Sequence, residues 1–158
     1  MGGSTGLKTL VLGLGNPILS DDGVGICVAE AIKQHFHDDA VTVMEASQAG
    51  LNLLDLISGY DKLILIDAIQ TVGGGIGEVY RLEASDLAST LHTCSPHDVN
   101  LATALELGKG IGMDLPREII IFAIEVKDVT TFSEKYTPEV REAIAVAKDM
   151  VIQELSNA

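Results

Sequence analysis

Aromatic side chains are scarce, with three Tyr, three Phe and no Trp among 158 residues. A platform of rings for stacking bases is therefore poorly supplied. Basic side chains are also few: 10 Lys and Arg face 23 Asp and Glu, for a formal net charge of −13. No Lys/Arg cluster stands out along the chain. A surface of this sign repels phosphate backbones and anionic membranes, which argues against a nucleic-acid or membrane-surface role. It suits solubility, a basic partner or a metal cation. Two cysteines, Cys27 and Cys94, make no disulfide framework. With no secretory leader visible, the expected location is the cytoplasm. Long apolar runs are absent too. Stretches such as Ile119 to Ile124 fall far short of the roughly 20 residues that span a bilayer.

What is present is an ordinary globular composition, 47% hydrophobic and 21% charged, at a length that suits one domain with a real core. No internal repeat, low-complexity stretch or dividing linker appears. The opening residues Met1 to Gly6 are polar and expected to be flexible, and they are set aside from the fold as an appended segment. That leaves one domain over 7–158.

Short apolar runs alternate with amphipathic stretches. Leu7 to Leu14 reads as a buried strand leading into Gly13-Leu14-Gly15-Asn16-Pro17. From Asp22 the period changes: Val24, Cys27, Val28, Ala31 and Ile32 form one stripe at helical spacing. Ser20 or Asp21 is the expected cap, and the acidic pair Asp21-Asp22 suits the positive end of the helix dipole. Cys27, on the stripe, is expected in the core. Val41 to Glu45 is a second strand. Gly50 to Ile57 is a helix with Leu51, Leu53, Leu54 and Ile57 inside. Lys62 to Asp67 is a continuous apolar strand closed by a carboxylate. After the glycine run Gly73 to Gly75, Gly77 to Leu82 is a further strand and a candidate for an edge. Ser95-Pro96-His97-Asp98 has the cap, proline and acid of a helix start, running to about Gly108 or Gly110. Glu118 to Glu125 is the last strand. The last helix starts at Thr137-Pro138-Glu139, with Val140, Ile144, Ala147 and Val151 on its apolar side. The pattern is α/β. It predicts a three-layer α/β/α sandwich around a mainly parallel twisted sheet of about five strands, one of them open to an antiparallel course.

Sites in such sheets lie beyond the carboxyl ends of the strands. That rule selects Asp21 and Asp22 after the first strand, Asp67 at the third, and His97 in the long connection before the last. Two carboxylates and an imidazole suit a divalent transition metal, with positions left for water or substrate. Each residue also has a plainer reading: Asp21 as a helix cap, Asp67 as a turn residue, His97 as a surface or capping side chain. Cys94 and His97 form a C-x-x-H step, with Cys94 a ligand, a nucleophile or simply a small residue near a helix start. His92 has no independent support, and His35 and His37 suit the negative end of the first helix. Gly13-Leu14-Gly15 also opens like a dinucleotide fingerprint. The third glycine position is Ile18, however, only Glu45 is available as the acid after the second strand, and Asp21 and Asp22 would face a pyrophosphate. There is no H-E-x-x-H helix and no G-x-S-x-G elbow.

The segment Gly13 to Pro17 resembles the opening of peptidyl-tRNA hydrolases, but the histidine motif that follows there is missing and the charge is wrong for tRNA. The longer string VLGLGNPILSDDGVG (Val11 to Gly25) resembles the hydrogenase maturation proteases far more. AGLNLLDLI (Ala49 to Ile57), YDKLILIDAI (Tyr60 to Ile69), SPHDVNLATAL (Ser95 to Leu105) and TPEV (Thr137 to Val140) match that family in order and spacing. The resemblance implies an endopeptidase of the peptidase M52 type, which trims the C-terminus of the [NiFe]-hydrogenase large-subunit precursor. It implies nickel as the recognition signal, supplied by the precursor, with other divalent cations able to substitute. Carried over position by position, the metal ligands are Asp22, Asp67 and His97, with Asp22 or Asp67 as the base. Relatives often have Glu where Asp22 stands, one methylene longer. Glu45-Ala46-Ser47-Gln48 replaces a more glycine-rich, Asp-led turn thought to take part in substrate recognition, which implies a subgroup with its own partner. Family substrates are cut just after a basic residue, which an acidic surface favours. The rival readings are a precursor-binding chaperone that does not cut and a Rossmann-like nucleotide binder.

Overall fold

Three apolar runs pair side by side to make the centre of the molecule. β1 (Thr9–Leu14), β3 (Lys62–Ile69) and β5 (Glu118–Glu125) are buried along nearly every residue, as strands covered on both faces must be. In the computed structural model, residues 7–16, 20–47, 51–83, 105–127 and 135–157 are described. The sheet has five strands in the order β2-β1-β3-β5-β4, where β2 is Val41–Ala46 and β4 is Val79–Glu83. The β1–β2, β1–β3 and β3–β5 pairs are parallel, and β4 runs antiparallel to β5. The sheet therefore has the predicted mainly parallel character, and its antiparallel member is the expected edge strand.

Alternation along the strands sorts the core into two layers. Leu10, Leu12 and Leu14 of β1, Leu63, Leu65 and Ile69 of β3, and Ile119, Ile121 and Ala123 of β5 face one side. There they meet Leu53, Leu54 and Ile57 of α2 (Leu51–Ile57), together with Leu105 from a helical stretch at 105–110. The opposite row, including Val11, Ile64, Ile66, Ile120 and Phe122, packs on Val24, Val28 and Ile32 of α1 (Val24–His35). It also packs on Val140, Ala143, Ala147 and Val151 of α3 (Pro138–Ser156). These are the three layers.

Three expectations change. β3 does not stop at Asp67 but continues to Ile69, because Asp67 stays in the ladder opposite Ala123. The capping residue of α1 is Gly23, with no side-chain capping bond, because Ser20–Gly23 forms a 3-10 turn that directs both acids elsewhere. Cys27 is only half-buried: it lies outside the row that α1 presents to the sheet and comes near Tyr136 instead.

Candidate functional site at the carboxyl edge

The close approach of α1 to the sheet begins with a glycine. A Cβ on Gly25 would collide with the carbonyl oxygens of both Leu14 and Ile66. With no side chain there, the start of α1 rests on the ends of β1 and β3. The register pairs Gly13 with Ile66, so Asp67 lies level with Leu14. The turn that carries Asp22 is thus pressed against the strand that carries Asp67. Both predicted residues therefore belong to segments at the carboxyl edge of neighbouring parallel strands, where ligands of open α/β sheets bind.

Asp22 is half-buried, and its Oδ2 accepts the Asn16 N–H at 3.0 Å. Among the described residues no hydrogen bond is made to its Oδ1, which leaves an oxygen for a ligand. Ser20, opening the same turn, has φ 45, a backbone conformation costly for a non-glycine residue. Its Oγ–H donates to the Lys135 carbonyl at 3.0 Å and helps to hold it.

Asp67 is 1% exposed. It occupies the position between Leu65 and Ile69 on the α2 face, a carboxylate in an otherwise aliphatic row. Its Oδ1 accepts the Ala68 N–H at 2.8 Å. The reading of Asp67 as a turn residue is overturned, since it lies inside the strand. His97, the third expected ligand, lies outside the described residues, as do Cys94 and His92. The helical stretch at 105–110 places Leu105 on the same sheet face as Asp67. Asp22 and Asp67 each supply carboxylate oxygens, donors that divalent cations accept.

Asp21 is not part of this site. It is fully buried; its Oδ1 accepts the Thr137 N–H at 2.7 Å, and its Oδ2 accepts the Thr137 hydroxyl at 2.7 Å and the Lys127 N–H at 3.0 Å. It fastens the chain after β5 and the start of α3. Glu45, the one acid available for a nucleotide ribose, pairs instead with Lys33 of α1 at 3.5 Å. Burial, then the nearby Glu30 carboxylate, raises the Cys27 thiol above its ordinary value, the reverse of what a nucleophilic cysteine needs. His35 Nδ1 contacts the Ala31 carbonyl at 2.8 Å at the exposed end of α1.

One buried acid went unflagged by the sequence pattern. Glu125, 2% exposed, stands on the same face as Asp67 at the end of β5 and pairs in register with Ile69. It accepts the Thr71 N–H at 2.8 Å, the Thr71 hydroxyl at 2.5 Å and the Tyr80 hydroxyl at 3.2 Å. The same rule that marks Asp67, an acid on the inward row at a strand's carboxyl end, would have found it. The Tyr80 hydroxyl is pushed up to about 12, first by burial and then by Glu78 and Glu125, so it stays a donor. Two clefts, of about 310 and 380 Å³, open near the amino ends of β2 and β5 and do not include Asp22 or Asp67.

The family model described as hydrogenase maturation protease matches residues 26–154. The chain is 28% identical over 120 residues to the hydrogenase 2 maturation protease of Escherichia coli, covering 75% of this chain and 73% of that protein. It is 26% identical over 152 residues to the hydrogenase expression/formation protein HupD of Thiocapsa roseopersicina, covering 94% and 68%. In structure it is similar to the hydrogenase maturating endopeptidase HybD from E. coli, with TM-score 0.85, 27% identity, and 96% and 93% of the two chains covered. The [NiFe] hydrogenase maturation protease HybD from Thermococcus kodakarensis shares the fold, with TM-score 0.78 at 22% identity.

Proposed function

The chain belongs to the hydrogenase maturation protease family, and from that premise we propose that it removes a C-terminal peptide from the nickel-loaded large-subunit precursor of a [NiFe] hydrogenase. What supports this reading is the contact of Gly25 with the Leu14 and Ile66 carbonyls, which sets the turn bearing Asp22 beside the end of the strand bearing Asp67. Asp22 and Asp67 offer oxygen and His97 a nitrogen to the ion that the precursor brings. Three side chains are an incomplete shell, so free metal is held weakly and metal already gripped by the precursor is shared. Loaded precursor then binds better than empty precursor, because the differential contact is the ion itself. Other divalent cations of similar preference are accepted in its place.

The ion supplies polarisation of the scissile carbonyl. The chain's own part is to hold the cleavage point against the carboxyl edge and to take a proton from the attacking water on a carboxylate. Asp22, half-buried and with no hydrogen bond to Oδ1 among the described residues, is better placed for that than Asp67, which is buried in the ladder. A precursor assembled in the cytoplasm places the protein there. No helix among the described residues is long and apolar enough to cross a membrane. The test is trimming of nickel-loaded precursor by Asp22→Asn, Asp67→Asn and His97→Ala. Each is expected to lose at least about 100-fold in rate while unfolding at nearly the wild-type temperature. Wild-type trimming by any of the three would remove that residue from the site. A stable complex with intact precursor would mean that the chain binds without cutting.

A further inference from the structure

Among the described residues, Ser20 is the one non-glycine with a positive φ, at 45. The other positions with positive φ, such as Gly15, Gly73 and Gly77, are glycines. A Cβ in the left-handed region crowds the backbone, so glycine would be the cheaper residue at position 20. A residue held in such a conformation persists only where its surroundings over-determine it, and such residues gather at functional sites. Ser20 opens the 3-10 turn Ser20–Gly23, which carries Asp22.

The surroundings of this turn are specific. Ser20 is 6% exposed, and its Oγ–H donates to the Lys135 carbonyl at 3.0 Å. At the other end of the turn, the Gly23 carbonyl accepts the Tyr136 hydroxyl at 3.3 Å. Two consecutive residues ahead of α3 therefore hold both ends of the turn. Between those ends, Asp22 is met by the chain that leaves β1. Its Oδ2 accepts the Asn16 N–H at 3.0 Å, and a Cβ on Gly15 would strike its carbonyl oxygen. Beyond the turn, the contact of Gly25 with the Leu14 and Ile66 carbonyls fixes the start of α1 on the sheet. With α1 fixed, a change of φ at Ser20 has to be absorbed inside the turn, and Asp22 moves with it. The hydroxyl bond offsets the strain that the serine Cβ introduces.

We propose that Ser20 is a positioning residue for Asp22: its left-handed backbone, held by the hydroxyl on the Lys135 carbonyl, sets the direction in which the Asp22 carboxylate is presented. This rests on the reading of Asp22 as a ligand and base in precursor trimming. The experiment measures kcat/KM for trimming of nickel-loaded precursor, and Kd for the same precursor, in wild type, Ser20→Ala and Ser20→Gly. Each is also measured beside Asp22→Asn, at a temperature where all are folded and with rates normalised to the folded fraction. Ser20→Ala keeps the strain and loses the bond that offsets it, so kcat/KM is expected to fall about tenfold. Ser20→Gly adopts the same φ without strain and is expected to stay within about threefold of wild type. Beside Asp22→Asn, the further change from Ser20→Ala is expected to be less than about twofold, because the group it acts through is already lost. A residue that serves only the fold would cost the same in both backgrounds. Should Ser20→Ala not fold, Ser20→Cys, a weaker donor on the same backbone, is read in its place. A wild-type rate for Ser20→Ala, an equal loss for Ser20→Gly, or a loss of full size beside Asp22→Asn overturns the role. If the wild type binds precursor without cutting it, the protease reading fails, and the same comparison made on Kd decides Ser20. If the wild type neither binds nor cuts, both fail.

Discussion

Asp21 and Asp22 are neighbours in sequence and opposite in use. The 3-10 turn at Ser20–Gly23 points Asp21 into the protein, onto Thr137 and Lys127, and leaves Asp22 at the edge with Asn16. Side by side ahead of a helix, the two look interchangeable as caps. What separates them is a partner 116 positions away, and local pattern holds no record of that. Asp21→Ala removes the carboxylate that the part-buried Thr137 and Lys127 donors share. It is expected to lower unfolding stability by about 2–4 kcal/mol, read as a shift in denaturant midpoint, with trimming by the folded fraction retained. A loss below about 0.5 kcal/mol would contradict the anchoring role. Asp67 was legible as a functional candidate because a carboxylate in an apolar strand is costly to bury. Its position inside the strand was not legible, since an acid after an apolar run reads equally as a stop.

At the scale of elements, the strands were readable because each is a continuous apolar run covered on both faces. The stripe of α1 was readable in period but not in width: α1 buries Val24, Val28, Ala29 and Ile32, and Cys27 falls at the margin. The ionic contacts that join elements were invisible. Lys62, 4% exposed at the start of β3, meets Glu154 of α3 at 3.0 Å, and Arg81 of β4 meets the same carboxylate at 2.8 Å. The Arg81 hydrogen bond, with Lys62 beside it, holds the Glu154 carboxyl below its ordinary value of 4.5 against the opposing effect of burial. A depressed acid stabilises the folded state above its unfolded value and loses that contribution as pH falls through its folded value. Stability from this junction is therefore complete at neutral pH and lost below 4.5. In urea titrations across that range, Glu154→Gln is expected to start less stable at neutral pH and to show a shallower acid decline than wild type. Parallel curves would mean that the junction contributes nothing pH-dependent.

For the whole molecule, the architecture follows from the alternation of apolar strands and amphipathic helices, and the place of the candidate site follows from the topology. Parallel strands put their carboxyl ends on one edge, and the glycine contact at Gly25 brings the turn after β1 onto the end of β3. The net charge of −13 gives the molecule as a whole a negative field. The central claim is that metal carried by the precursor licenses its own trimming through Asp22, Asp67 and His97. The most direct measurement is the intact mass of large-subunit precursor after incubation with the chain, nickel-loaded and nickel-free in parallel. The account predicts loss of a C-terminal peptide from the loaded precursor and an unchanged mass for the empty one. Equal cleavage of both, or of neither, would contradict it.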